Sequence, residues 1–190
     1  MKTVYVTGAS AGLGRAIAAI FSREKFRVGL IARDEDSLAE AATSIGGGTA
    51  WATADVSIFE ELDTAARKLE AQIGPPDIWV NAAMATIFSR FEDISAGEFA
   101  RATNVTFLGS VYGLQIALRY MKSRGQGHLI QIGSALANRA LPLPAPYCAA
   151  KAALRGAVDS LRCELIHDPL PINITMVQMP AMNTNKLDWE

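Results

Sequence analysis

Apolar residues fall along this chain in two alternating rhythms. Short, nearly unbroken apolar runs are followed by longer stretches in which apolar positions recur at helical spacing. The first rhythm suits strands buried on both faces, the second amphipathic helices. On this reading residues 3–7, 26–32, 49–54, 77–80, 128–132 and 171–178 are strands. Residues 13–25, 35–44, 58–72, 98–123 and 147–167 are helices. Strands alternating with helices predict an α/β fold: one doubly wound parallel sheet, three layers deep, with helices on both faces and strand order 3-2-1-4-5-6. In such a sheet a ligand belongs at the carboxyl ends of the strands.

Local signals place the boundaries. Asp34 is a good N-cap for the second helix. Gly46–Gly48, the G-P-P at 74–76 and Gly125–Gly127 are turns, and residues 86–97 are loop-like. Pro142, Pro144 and Pro146 keep the segment before Tyr147 extended. Glu60, Glu61 and Asp63 fall in the first turns of a helix, where negative charge suits the dipole, and read as a solvated face.

Composition narrows the class. The 190 residues fit one domain, and with 50% hydrophobic and 19% charged residues a sizeable core is available. The net charge of -1, without a run of one sign, argues against nucleic acid or an anionic membrane as partner. No apolar stretch is long enough to span a bilayer, and the N-terminus runs straight into a strand rather than a signal sequence. Cys148 and Cys163 share one predicted helix, about 22 Å apart at helical rise, too far for a disulfide. Reduced thiols and a cytoplasmic setting are expected. His128 is isolated and no Cys, His or Asp cluster offers metal spacing, so no metal site is expected.

The chemistry-bearing residues follow the strand ends. After the first strand comes T-G-A-S-A-G-L-G, then a helix. Gly8 permits a tight turn, Gly12 lets backbone approach a pyrophosphate, and Gly14 allows close helix–strand packing. The helix start presents N–H groups to phosphate charge. The second strand ends in Ala32-Arg33, where an acidic residue would bind a ribose 2′-OH. An Arg there pairs with a 2′-phosphate, which favours NADP (NADPH) over NAD; the alternative is a surface Arg beside Asp34 and Asp36. Asp55 ends the third strand and either contacts an adenine ring or begins the next helix. Asn81 ends the fourth, Ser134 follows the fifth and Pro180 the sixth. Tyr147 and Lys151, four residues apart, share one face of a helix, where a cation favours the phenolate. Asn104, by itself, is a polar packing residue.

Taken together these residues closely resemble the short-chain dehydrogenase/reductase family over essentially all 190 residues. Residues 7–14 look like its T-G-x-x-x-G-x-G loop, Asp55 like its adenine-contacting Asp, and Asn81 like the first position of its N-N-A-G motif. Asn104, Ser134, Tyr147 and Lys151 match its catalytic Asn-Ser-Tyr-Lys set in order and spacing. The resemblance implies a Rossmann-like catalytic domain over residues 1–190 in which Tyr147 is the acid/base and Ser134 bonds the substrate oxygen. Lys151 would lower the Tyr147 pKa and bind the nicotinamide ribose, and Asn104 would hold a relay water. Cofactor contacts would come from Gly8, Ser10, Gly12, Leu13, Gly14, Arg33, Asp55, Val56, Asn81, Ala82, Tyr147, Lys151, Pro180 and Thr184.

Three departures stand out. N-A-A-M replaces N-N-A-G, so an amide is lost and Met84 adds bulk. Pro180-Ala181 replaces Pro-Gly, and Thr184 comes one residue early. The sequence stops where the family usually adds a substrate-covering segment and an edge strand, so an open pocket and an uncovered sheet edge are expected. The expected function is hydride transfer between NADP(H) and a small-molecule carbonyl or secondary alcohol, apolar by the character of Ile87, Phe88, Phe91 and Ile94. The competing reading is a nucleotide-binding or scaffold protein without turnover. The family usually forms homodimers or homotetramers.

Overall fold

Strand composition and sheet position agree. β1 (Thr3–Thr7), β2 (Arg27–Ala32), β3 (Thr49–Thr53), β4 (Ile78–Asn81), β5 (Gly127–Ser134) and β6 (Ile172–Met179) all pair in parallel. Their order is β3-β2-β1-β4-β5-β6, the one expected. The computed structural model describes residues 1–180 and 182. β1, flanked on both sides, is buried at every position.

Alternation along the strands sorts side chains between two cores. Val4, Val6, Leu30 and Val80 face α1 (Gly12–Arg23) and α2 (Glu35–Ile45), packing with Ala18, Leu38 and Ala41. Tyr5, Trp79 and Leu129 face the other way. They pack with Leu62 and Leu69 of α3 (Phe59–Ile73), Ile116 of α5 (Gly109–Arg124) and Leu154 of α6 (Ala145–His167). Tyr5 and Trp79 meet at a tilt of 55°, 5.7 Å between ring centres, and the Tyr5 hydroxyl donates to the Gly74 carbonyl at 2.9 Å. The buried hydroxyl is thus satisfied, as an apolar core requires.

Local chemistry explains the helix starts. Asp34 accepts from the Ser37 N–H at 2.8 Å and caps α2. Ser95 and Glu98 form a reciprocal capping box that starts α4 (Ala96–Thr103). Proline is tolerated in a first helical turn, so α6 begins at Ala145, with Pro146 inside it, two residues before the expected start.

One expectation changes. The helix expected over 98–123 is two helices, α4 and α5, joined by a π-helical turn at Asn104–Leu108. In that turn the Gly109 N–H bonds five residues back, to the Asn104 carbonyl. Such wide turns have no strong sequence signature and occur often at functional sites. The loop before it carries a short 3-10 turn at Phe91–Asp93.

Candidate active site

A cleft of about 610 Å³ opens along the carboxyl edge of the sheet. Gly8, Ser10, Arg33, Asp55, Val56, Met84, Ala85 and Arg101 are among the residues lining it. The turn after β1 makes its floor. Gly8 has φ +68°, and a Cβ there would lie 2.7 Å from the Ala83 Cα. A Cβ on Gly14 would strike the Gly8 carbonyl oxygen, so α1 sits directly against the turn. Ala11 contributes no capping side chain and the first turn of α1 holds no acidic residue. The opening N–H groups of α1 are therefore suited to phosphate oxygens. These features fit a dinucleotide pyrophosphate. Leu13 packs on the α1–α2 core and Ala82 is buried, so both shape the turn from below.

Arg33 is exposed at the end of β2 and lines the cleft with Ser37. At the end of β3, Asp55 Oδ1 accepts from the Ser57 N–H at 3.0 Å and its hydroxyl at 2.7 Å. Its Oδ2 faces Arg101 Nη2 at 2.7 Å. Burial works to raise the Asp55 carboxyl, but the Arg101 and Ser57 hydrogen bonds outweigh it and hold it below the usual carboxylate range.

Asn81 departs from the expected cofactor contact. It is 1% exposed, and its amide is turned into the protein. The Trp79 indole N–H donates to Asn81 Oδ1 at 2.8 Å. Indole is donor-only, so it fixes which way the amide points. Asn81 Nδ2 then donates to the Ser110 carbonyl at 2.9 Å and to Gln131 Oε1 at 3.1 Å. That leaves Gln131 Nε2 facing the Ile132 carbonyl at 3.3 Å. Gln131 is fully buried, and neither it nor Ser110 was singled out in the sequence, where each reads as an isolated polar residue in an apolar run.

Ser134 ends β5, and Tyr147 lies in the first turns of α6. Ser134 stands beside the Tyr147 hydroxyl, where it works to lower the phenol. Ser134 also accepts from the Leu136 N–H at 3.2 Å. Lys151, one turn beyond Tyr147, is 2% exposed and its ammonium lies 5.5 Å from the centre of the Tyr147 ring. It donates to the Ile132 carbonyl at 2.8 Å. The geometry of β5 makes that carbonyl accessible. The His128 N–H bonds to Asp77, so alternate residues from 128 to 132 face β4. β4 pairs only as far as Gln131, and Ile132 points past its end.

The expected depression of the Tyr147 pKa by Lys151 is not seen. Burial pushes the phenol above its ordinary value, Ser134 works against this, and Cys148 adds a smaller upward push. The Lys151 ammonium is turned to the Ile132 carbonyl instead.

Asn104 stands at the start of the wide turn and is exposed. The polar side chain that this turn buries is Thr106, at 0% exposure. Its hydroxyl donates to the Ala85 carbonyl and accepts from the Ala85 N–H, each at 2.9 Å. Ala85 lines the cleft, so Thr106 clamps the cleft wall to the helix. A threonine in a helical pattern offers no sequence signal for this; the pairing is tertiary. Pro180 is exposed after β6, and Thr184 lies outside the described residues.

Among the described residues, no three His, Cys, Asp or Glu side chains group so as to hold a metal ion, and no helix is long and apolar enough to cross a membrane.

Known proteins are similar to this chain. The family described as short chain dehydrogenase matches residues 2–188, and the chain belongs to it. The uncharacterized oxidoreductase YxnA of Bacillus subtilis is 30% identical over 187 residues, covering 96% of this chain and 52% of that protein. The 3-ketodihydrosphingosine reductase of Bos taurus is 29% identical over 189 residues, covering 95% and 56%. The chain thus spans about half the length of these relatives. An alcohol dehydrogenase from Thermococcus sibiricus, solved with 5-hydroxy-NADP, superposes with a TM-score of 0.88 at 28% identity, covering 97% of this chain and 78% of that one. An actinorhodin polyketide ketoreductase solved with NADPH shares the fold, with a TM-score of 0.91 at 24% identity, covering 96% and 71%.

Proposed function

We propose that this chain catalyses hydride transfer between NADP(H) and a carbonyl compound or its secondary alcohol, with Tyr147 as acid/base. The observation that carries this reading is a buried ammonium 5.5 Å from the centre of the Tyr147 ring, with Ser134 beside the phenol, on the same sheet edge as a phosphate-suited turn. A phenol and a serine hydroxyl side by side can grip one substrate oxygen, the first giving or taking its proton and the second holding it in place. A neutral phenol suits the reductive direction, where a proton is donated to the forming alkoxide. A cofactor bound in the cleft supplies or accepts the hydride at its nicotinamide ring.

The cofactor would lie against Gly8, Ser10, Gly12 and Gly14, with Asp55 and Val56 at its adenosine end and Lys151 at the other. Arg33 and Ser37 beside the cleft support a 2′-phosphate, hence NADP rather than NAD. The relatives solved with NADPH and 5-hydroxy-NADP are consistent with that choice. Phe88, Phe91, Leu141 and Leu143 are exposed, and the Ser89 N–H joins their two loops by donating to the Leu143 carbonyl at 3.4 Å. That apolar rim supports an apolar carbonyl substrate. The exposed small residues of α6, Ala149, Ala152, Ala153 and Gly156, would let a second copy's helix approach, as a homodimer or homotetramer requires. Two free thiols on α6 suit a reducing, cytoplasmic setting.

NADPH consumption against a panel of ketones, aldehydes and quinones tests the reading. The wild type should turn over at least one of them. Tyr147→Phe should lose about 10²-fold to 10⁴-fold in kcat, the usual range for general acid–base catalysis, while binding NADPH as before. Undiminished turnover by that variant would reject the assignment.

A further inference from the structure

Arg101 stands on α4, across the cleft from the β3 end, yet its guanidinium reaches two groups there. Nη2 lies 2.7 Å from Asp55 Oδ2, and Nη1 donates to the Ser57 hydroxyl at 2.8 Å. Ser57 in turn donates to Asp55 Oδ1 from both its N–H and its hydroxyl. Asp55 is therefore held from three sides. A carboxylate accepts about four hydrogen bonds, so this leaves roughly one lone-pair direction, on Oδ2, for an outside donor. The Asp55 side chain is 18% exposed and that of Arg101 40%, and both line the cleft. Val105, one turn after Arg101, lines the same wall.

We propose that Arg101 is a cofactor-binding residue of the adenosine end: it bridges the cleft through Asp55 and Ser57, aims the Asp55 carboxylate at a base carrying an amino donor, and puts a second cation beside Arg33 in an anion-binding cleft. The proposal rests on the dinucleotide reading above. Three features favour a ligand role over a plain surface ion pair. The guanidinium is forked over two partners, which fixes its plane. It joins elements far apart in the chain, α4 and the β3 end, across the space a ligand would fill. Its partner Asp55 is one of two carboxylates lining the cleft, with Asp34, where negative charge would otherwise repel a polyanion. A planar guanidinium also presents an apolar face on which an aromatic base can stack.

The test uses three ligands and fluorescence or calorimetric titration, with no turnover needed. NADPH spans the cleft, 2′,5′-ADP fills only its adenosine half, and reduced nicotinamide mononucleotide only the other half. In Arg101→Met, affinity for NADPH and 2′,5′-ADP should fall by a similar factor, about tenfold, as expected for losing a charge-assisted contact, with mononucleotide affinity unchanged. Arg101→Lys keeps the charge but not the fork and should fall between wild type and Arg101→Met. Arg101→Met and Asp55→Asn should be non-additive in a double-mutant cycle, because each disrupts the same bridge. Unchanged 2′,5′-ADP affinity in Arg101→Met overturns the proposal. So does an equal loss at the mononucleotide half, which would mean that α4 has moved as a whole. Should Arg101→Met fail to fold, Arg101→Lys decides, and unchanged 2′,5′-ADP affinity in that variant counts against the bridge. A wild type that binds neither NADPH nor 2′,5′-ADP would instead reject the dinucleotide reading on which the proposal stands.

Discussion

Lys151 donates to the carbonyl of Ile132 at 2.8 Å, from a position where almost none of the residue meets solvent. A helix side chain is thus anchored to a strand end, and the anchor exists because β4 stops one residue short of covering Ile132. The cation is stored within one helical turn of Tyr147, 5.5 Å from its ring centre. Its neighbour Gln131, held by Asn81 and ultimately by Trp79, faces the same carbonyl.

The storage of a buried cation separates stability from activity. Replacing a buried charge by an apolar side chain of similar volume is often neutral, whereas the Ile132 carbonyl would lose a donor. Lys151→Met should therefore change stability by less than about 2 kcal/mol, the two effects opposing each other. Turnover should fall by about 10²-fold or more, since proton transfer and cofactor placement both suffer. Thermal unfolding and steady-state NADPH oxidation check the two halves. A variant that keeps most of its activity would remove Lys151 from the mechanism.

The π turn makes opposite predictions for two residues two positions apart. Thr106→Val keeps the volume but removes both hydrogen bonds to Ala85, and should cost about 1–3 kcal/mol for the unpaired backbone groups. Asn104→Ala, at an exposed position, should cost less than about 0.5 kcal/mol. Denaturant unfolding ranks them. A larger loss from Asn104→Ala would show that Thr106 is not the clamp.

Arg33→Asp reverses the charge at the end of β2 beside Asp34. A 2′-phosphate would then meet two carboxylates, and a free ribose diol would gain an acceptor. Affinity for NADPH should fall by about tenfold or more relative to NADH, one ion pair's worth of discrimination. Titration with both cofactors measures the ratio, and an unaltered ratio would remove Arg33 from cofactor choice.

Stability should fall as pH rises through the tyrosine range. Burial raises the Tyr5 and Tyr147 phenols, and burial together with Glu70 pushes Tyr120 up to about 12. A group whose pKa is raised by folding binds its proton more tightly in the native state. The stability it contributes is complete below the unfolded value of about 10 and is lost above it. Chemical denaturation at several pH values between 9 and 12 should show this decline, about 1.4 kcal/mol per pH unit for each group still protonated only in the native state. Tyr5→Phe should flatten it. A curve level to pH 12 would contradict the burial of these hydroxyls.

How far the sequence reaches is visible in particular residues. Strand order, the glycine turn and the positions of Ser134, Tyr147 and Lys151 were legible because each rests on local periodicity or short spacing. Asp34 as a cap was legible for the same reason: a cap is decided within a few residues. The sequence also placed Arg33 and Asp55 at strand ends, where a ligand of this fold must lie.

The three-dimensional packing alone decided which way these residues turn. Asn81 was expected in the cleft, but a donor-only indole two residues earlier rotates its amide inward. Near Asn104, a turn one residue wider than an α-helix leaves that residue exposed and brings Thr106 inside. Lys151 lies beside the Tyr147 ring, and the end of a neighbouring strand supplies a carbonyl that also holds it. Arg101 carried no signal at all, because its partners Asp55 and Ser57 lie in the turn between β3 and α3, more than forty residues away. Periodicity reports which face of an element is buried. The direction of a polar group is set by donors and acceptors from other elements, and only the folded chain brings those together.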